Sequence, residues 1–427
     1  MDIKYPGAAM HEKALAALPD MVRVRQRFPS ERVEDIPGCI ARRFDDPDVR
    51  VLFSPGMRVA VCAGSRGIRN LQLVVRCVVR ELRQLGAEPF IVPAMGSHGG
   101  ATAEGQMKVL ESYGITETAV GAPVFSSMET VVLGELDGIP VHWDKFAAEA
   151  DGVVLVNRVK PHTDFKGPLE SGLAKMAVIG LGKHAGAILW HRQGFDRFHR
   201  LIPRAAEYVF SKVPVKLGVA LVENAYDETA RIDVLPAGRI LTEEPELLKL
   251  AKRLLPGLPA NPIDVLIVDK AGKDISGAGM DPNVTGRTLS GINEGFPAPR
   301  IQRIVVRDLT EKTGGNACGV GVADVITKRL FDKIDFHKTY TNAITSTVPL
   351  SAKIPIVAKS DRDALALALE MCNRVEPASA RIVRIRSTLE LGELWVSVPC
   401  LDALPGHCVA VSEPAALRFD GQGNLLD

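Results

Sequence analysis

The apolar positions of the chain fall into runs that alternate with segments of helical periodicity. The run MRVAVCA (57–63) is almost continuously apolar, as is typical of a strand buried on both faces. After the turn GSRGIRN, the segment LQLVVRCVVRELRQLG (71–86) has apolar residues at helical spacing and ends at Gly86, where a C-cap glycine belongs. The run PFIVPAM (89–95) predicts a second strand. Together these segments predict a βαβ unit with parallel strands and a right-handed crossover.

Further apolar runs repeat this pattern, and each is followed by a loop or a helical segment: GVVLVN (152–157), KLGVALVE (216–223), DVLIVD (264–269) and RIVVRD (303–308). The pattern predicts an α/β protein of two domains, each with a largely parallel sheet flanked by helices, and an active site in the cleft between them. The Pro- and Gly-rich segment LLPGLPANP is interpreted as the linker, so the predicted domains are residues 1–255 and 263–427. Near the end, RIVRIRS and LWVSVP predict a hairpin-type pair of strands.

Length and charge narrow the function classes. A chain of 427 residues can bury two or more cores. Lys and Arg total 52 against 51 Asp and Glu, and aromatic residues make up only 5 %, so neither nucleic acid nor a membrane is expected as a partner. The seven cysteines show no Cys-x-x-Cys spacing, and the first residues lack the apolar core of a secretory signal. A cytoplasmic location is therefore expected.

Three charged, Gly-containing loops follow predicted strands of the first domain. They are AGSRGIRN (63–70), GSHGG (96–100) and RVKPHTDFKG (158–167). In open parallel sheets, ligands bind at the carboxyl ends of the strands. The side chains of Arg66, His98, Lys160 and His162 are therefore expected to converge, although they lie far apart in the sequence.

Two other patterns leave alternatives open. His184 and His191 are seven residues apart in GKHAGAILWHRQG and share a face if this segment is helical, but their spacing is not that of a zinc-protease pair. The glycines of VIGLGKHAG (178–186) are compatible with a dinucleotide fingerprint, which requires a preceding strand, whereas the residues before them read equally well as a helix. The segment GKDISGAGMDPNVTGR (272–287) follows a predicted strand and is suited to backbone anion nests or to cation ligands.

Taken together, these motifs resemble the nickel-dependent lactate racemase family, whose members use a nickel-pincer nucleotide. GSHGGAT resembles the family's Gly-Thr-His-Arg-x-x-Thr segment, which places His98 at a catalytic histidine. KPHTDFKGPLESGLAK resembles its Pro-His-…-Ser-Gly-Gly-x-Lys segment, which places His162 at the second catalytic histidine and Lys175 at the lysine that anchors the cofactor. His191 stands sixteen residues beyond Lys175, at the family's spacing to its nickel-ligating histidine.

The resemblance also implies roles for neighbouring positions. Ser65 and Gly96 are assigned to cofactor binding, and Arg66 matches the arginine that holds the substrate carboxylate. The stretch GMDPN resembles the family's Tyr-Pro-x-Asp-x-Asn stretch, which assigns Asn283 to substrate binding together with Arg287, the nearest cation where the family has Gln and Lys. The second domain is thus expected to complete the substrate pocket of the first.

The implied activity is a racemase or epimerase that acts at C2 of a 2-hydroxy acid by hydride transfer to and from the nickel-pincer nucleotide. The cofactor-side motifs match the family better than the substrate-side motifs, which predicts a larger or hydroxylated acid, such as a sugar acid, rather than lactate. The expected partners are this acid and the cofactor maturation enzymes, and a homo-oligomer is compatible with the pattern. An NAD(P)-dependent dehydrogenase and a non-catalytic relative that binds an acid or a nucleotide are the alternatives.

Overall fold

The structure is a computed structural model that describes residue 15 and residues 17–65 and 67–426. The chain divides into two compact units, one formed by residues 29–255 and the other by residues up to 28 together with residues 256–427. The division falls after Leu255, in the Pro- and Gly-rich segment. Among the helices of the described residues, none is both long enough and apolar enough to pass through a lipid bilayer.

The strands are numbered along the chain. They are β1 (Met21–Gln26), β2 (Arg58–Ala63), β3 (Glu88–Pro93), β4 (Thr130–Leu136), β5 (Ile139–Asp144), β6 (Gly152–Arg158), β7 (Val215–Glu223), β8 (Thr229–Pro236), β9 (Ile263–Ala271), β10 (Ile301–Leu309), β11 (Val325–Thr327), β12 (Ile356–Ala358), β13 (Ile382–Ile385), β14 (Glu393–Ser397) and β15 (Cys408–Ala410).

Helices lie between most of these strands. In the unit of residues 29–255 the α-helices are Ile36–Phe44, Pro47–Arg50, Leu71–Gln84, Ala103–Ser112, Glu117–Val120, Lys145–Ala148, Leu173–Lys175, Lys183–His191, Phe198–Lys212 and Ala237–Leu254. In the other unit they are Pro282–Thr285, Lys328–Asp332, Phe336–Thr345 and Asp361–Glu370.

The unit of residues 29–255 is built on a sheet with the strand order β3-β2-β6-β7-β8 in the described residues. The first four strands are parallel and β8 is antiparallel to β7. Successive residues of β2 point to opposite faces, so Ala60 and Cys62 join one apolar core while Val59 and Val61 join the other. The predicted βαβ unit is confirmed, with the helix Leu71–Gln84 as its crossover.

The other unit contains a sheet with the described strand order β12-β11-β10-β9-β13-β14-β1-β15. Strands β9 to β13 pair in parallel, and β13 pairs antiparallel with β14, as the two runs near the end of the sequence predict. The strand β1 pairs antiparallel with β14 and β15, although the predicted division assigns it to the domain of residues 1–255. Its residues alternate between buried and exposed positions, which suits an antiparallel strand but does not specify its partner.

Candidate active site

The three charged loops leave one edge of the sheet of residues 29–255. Strand β2 lies between β3 and β6, and all three are parallel, so the segments 63–70, 96–100 and 158–167 emerge side by side at the carboxyl ends. The chain places β3 on one side of β2 and β6 on the other, so the order of the strands switches between β2 and β6. Open α/β sheets bind ligands at such a switch point. Arg66, the predicted carboxylate-binding residue, lies outside the described residues.

The loop that carries His98 is joined to the loop that follows β2. The hydroxyl oxygen of Ser65 lies 2.7 Å from Nδ1 of His98. Gly96 has a positive φ of 61°, and its N–H donates to the carbonyl oxygen of Gly180 at 2.9 Å. A Cβ on Gly96 would lie 3.2 Å from the carbonyl oxygen of Ile179. The glycine-rich sequence therefore lets the His98 loop approach the backbone of residues 179–180 closely.

The ring of His162 is fixed by its own loop. The backbone N–H of Asp164 donates to Nδ1 of His162 at 3.0 Å, so the neutral ring carries its proton on Nε2. Its centroid lies 4.4 Å from that of Phe165. Burial and then the charge of Lys175 lower the pKa of His162 well below its ordinary value, which keeps the ring neutral.

Lys175 and His191 lie on consecutive helical segments close to His162. Lys175 ends a short helix that continues as a π-helical turn over Met176–Gly180, and His191 ends the next helix. Burial and the charge of Lys175 lower the pKa of His191 to about 4. The ring of Phe195 lies 6.1 Å from that of His162 and 5.6 Å from that of His191. Lys175 thus acts electrostatically on both imidazoles, and the two rings contact one phenylalanine.

A buried carboxylate that the sequence did not indicate holds the His162 loop. Glu170 is fully buried, and its Oε2 accepts the backbone N–H of His162 at 2.7 Å. The ammonium groups of Lys166 and Lys252 lie 3.3 and 2.7 Å from its two oxygens. The backbone N–H of Gly167 donates to it as well. The spacing of Glu170 from Lys166 is visible in the sequence, but the contact with Lys252 depends on the fold.

A second carboxylate lies at the start of the helix that carries Lys175. Glu244 is buried, and its Oε2 accepts the N–H of Ala174 at 3.0 Å. A Cβ on Gly172 would lie 2.0 Å from the other oxygen, so only glycine fits beside this carboxylate. Burial raises the pKa of Glu244 to about 7.

Replacing Glu244 by Gln is expected to change how stability depends on pH. The ordinary pKa is 4.5 and the folded value is about 7, so the folded state binds more protons than the unfolded state between these limits. The free energy of unfolding of the wild type therefore falls as the pH rises from 4.5 through about 7. The variant does not show this loss, because the amide of Gln does not ionise. We expect urea unfolding to show the variant gaining up to about 3 kcal/mol relative to wild type between about pH 5 and 8. A difference that stays constant with pH would contradict this assignment.

The predicted substrate residues of the other unit form contacts within that unit. The N–H of Asp281 donates to the hydroxyl of Thr388 at 2.9 Å, which joins the loops that follow β9 and β13. The buried amide of Asn283 donates to the carboxylate of Asp281. The guanidinium of Arg287 donates to Asp324 and to two backbone carbonyls at the amino ends of β10 and β11. Arg287 thus has a structural role at the opposite end of these strands from Thr388.

The glycines of residues 178–186 do not form a dinucleotide fingerprint. That motif needs a strand that leads into a glycine turn and a helix. Residues 173–180 are helical instead, and the next helix begins at Lys183. The residue pattern on which the dehydrogenase alternative depends is therefore missing.

The fold and this edge of the sheet define an α/β protein with histidines on the two loops that flank the β2 loop, and with a lysine and a third histidine close to His162. Residues 19–196 match the family model described as the lactate racemase N-terminal domain. Among solved structures, the chain is similar to the lactate racemase apoprotein from Thermoanaerobacterium thermosaccharolyticum, with a TM-score of 0.55 and 13 % identity, over 87 % of this chain and 99 % of that chain. No curated protein sequence matches the chain.

Residues 19–196 therefore resemble the N-terminal domain of the lactate racemase family, and the structural similarity shows that the chain has the fold of that apoprotein.

Proposed function

We propose that the protein inverts C2 of a 2-hydroxy acid and uses a nickel-pincer nucleotide bound at Lys175 and His191. The observation that carries this proposal is the grouping at the carboxyl ends of β2, β3 and β6. There the loops of His98 and His162 emerge on either side of β2, and Lys175 acts electrostatically on both His162 and His191.

The residues present fit such a cofactor. The low pKa of His191 keeps its imidazole neutral, which is the form that ligates a metal. In the part of the chain that the structure describes, no three His, Cys, Asp or Glu side chains are arranged to hold a metal ion. A pincer ligand brings its own donor atoms and needs few from the protein. When bound, the cofactor supplies the acceptor for hydride from C2.

The two catalytic histidines that we propose differ in their hydrogen bonds. Nδ1 of His162 accepts the N–H of Asp164, so its neutral ring presents Nε2–H as a donor to the substrate oxygen. Nδ1 of His98 faces a hydroxyl, which can accept or donate, so Ser65 permits either tautomer of His98. His98 can therefore receive the hydroxyl proton at Nε2 while Nδ1–H donates to Ser65.

The substrate class that we propose is a small acid with a hydroxyl at C2. The cations Lys175, Lys166 and Lys160 all act on the pKa of His162, so an anionic group is favoured beside this ring. The substrate-side motifs of the sequence match the family less well than the cofactor-side motifs, and for this reason we propose a sugar acid as the substrate. Asn283 and Arg287 are hydrogen-bonded within their own unit. A substrate panel therefore includes lactate and several hydroxylated acids.

The first experiment is co-expression with the cofactor-making enzymes, followed by intact mass, nickel content and racemisation of a 2-hydroxy acid panel. We expect a covalent adduct on Lys175 and bound nickel in the wild type, and no adduct in the Lys175→Arg variant. The control Lys249→Arg changes a lysine in an exposed ion pair with Glu246 and is expected to load normally. An unmodified, metal-free wild type, under conditions that load an active family member, would favour a non-catalytic acid-binding relative.

A further inference from the structure

A fully buried lysine joins the His98 loop to the helix that ends at His191. Lys183 is the first residue of that helix and has a positive φ of 53°. Its ammonium group donates to the carbonyl oxygen of Pro93 at 2.6 Å and to Oε1 of Gln106 at 3.1 Å. It also lies 3.1 Å from the carboxylate of Asp144, which is equally buried. The ammonium group thus has two hydrogen-bond acceptors and one ion-pair partner, each on a different segment.

Gln106 connects Lys183 to the backbone around His98 through hydrogen bonds. Its side chain is fully buried, and its amide donates to the carbonyl oxygen of Gly96 at 2.8 Å and to that of His98 at 3.4 Å. The loop is bound on its other side by the hydrogen bond between Gly96 and Gly180. The carbonyl groups of Gly96 and His98 are therefore held through Gln106 and Lys183.

Stability alone does not account for this arrangement. A buried ion pair loses the hydration of both charges, and apolar side chains of the same volume often stabilise a core equally well. A non-glycine residue with a positive φ adds local strain. Such features persist where the surrounding structure needs one defined geometry, and here the pair joins the end of β5, the end of β3 and the helix of His191.

We propose that Lys183, Asp144 and Gln106 are positioning residues that set the His98 loop against the helix bearing His191. Only the expected effect on turnover rests on the proposed function, whereas the positioning of the His98 loop does not. Loss of the Gln106 amide removes the donors to two carbonyl groups of the loop and one acceptor of the Lys183 ammonium group, so the ring of His98 is expected to move. A displacement of about 1 Å lowers turnover by about 10- to 100-fold.

The test compares Gln106→Met with Gln26→Met. Gln26 is a matched control in the other unit, because its buried amide also donates to two backbone carbonyls, at 3.0 and 2.8 Å. Three quantities are measured: the adduct on Lys175, kcat and KM of the loaded enzyme, and the rate at which diethyl pyrocarbonate modifies His98, read by peptide mass spectrometry. We expect Gln106→Met to lower kcat by about 10- to 100-fold with KM and loading retained, and to change the His98 rate several-fold.

The outcomes separate the two hypotheses. If Gln106→Met and Gln26→Met lower the melting temperature alike and neither changes kcat or the His98 rate, the positioning role is overturned. If the loaded wild type has no turnover but the His98 rate still responds to Gln106→Met alone, the proposed function fails and the positioning role stands. Should Gln106→Met not fold, the pair Asp144→Asn/Lys183→Met removes both buried charges together and is tested in the same way.

Discussion

Replacing His98 by Gln is expected to lower kcat of the cofactor-loaded protein by about a thousandfold. The imidazole is the group that we propose to receive the substrate's hydroxyl proton, and the amide of Gln has no basic nitrogen. KM is expected to change much less, because His98 would act on the proton and not on the carboxylate. Ser65→Ala keeps the imidazole but removes its 2.7 Å contact, so a smaller loss of about tenfold is expected. The measurement is steady-state racemisation with loading verified by intact mass.

The matched control for this prediction is His142→Gln. His142 also pairs its Nδ1 with a hydroxyl, that of Thr130 at 2.9 Å, but it does so on the β4–β5 hairpin. We expect this variant to keep the activity of the wild type. A loaded His98→Gln variant with turnover within a few-fold of the wild type would remove His98 from the mechanism. Equal losses in both variants would point to a general effect on folding.

Replacing Glu170 by Ala is expected to lower the free energy of unfolding by about 3 to 5 kcal/mol. The fully buried carboxylate accepts from the backbone of His162 and balances the ammonium groups of Lys166 and Lys252. Its removal leaves a nearly buried lysine and a backbone N–H without their partner, and this costs more than the loss of a surface ion pair. The measurement is urea denaturation followed by tryptophan fluorescence, to which the buried Trp143 and Trp190 of the same unit contribute.

Glu246→Ala is the control for this prediction, because Glu246 pairs with Lys249 on the surface, where both side chains are about 70 % exposed. Exposed pairs contribute little to stability, so unfolding of this variant is expected to match the wild type. If Glu170→Ala is as stable as Glu246→Ala, the carboxylate is not a structural anchor of the His162 loop. A large loss in both variants would point to a different origin of the effect.

The sequence predicted the parts of the fold that depend on local pattern. Continuous apolar runs indicated β2, β3, β6, β7, β9 and β10, and each has its strand in the structure. The strand β1 and the antiparallel strand β8 were not assigned to their sheets, because an alternating pattern specifies exposure but not the neighbouring strand. The hairpin β4–β5 was missed for a similar reason, since β4 has no buried residue and the buried residues of β5 form only a short run.

The sequence likewise predicted only part of the candidate site. The placement of the loops bearing His98 and His162 at one edge of the sheet followed from one rule about parallel sheets, and in the strand order β3-β2-β6 these loops emerge on either side of β2. The residues that support them were not found in advance. Asp144 and Lys183 are 39 positions apart in the sequence, and nothing local marks two charged residues as a buried pair. Arg287 was assigned to substrate because it is a cation near a motif, whereas the fold pairs it with Asp324.

The sequence by itself determined the α/β class, the main parallel strands and the loops that carry the candidate chemistry, because apolar periodicity and glycine turns act over a few residues. The tertiary structure alone decided which carboxylates reach the His162 loop and the Lys175 helix, which unit receives β1, and how Lys183 joins the His98 loop to the helix of His191. These outcomes depend on contacts between residues that are distant in the chain. Such contacts form only when whole elements pack, because each buried polar group then takes whichever partner the packing brings within hydrogen-bond distance.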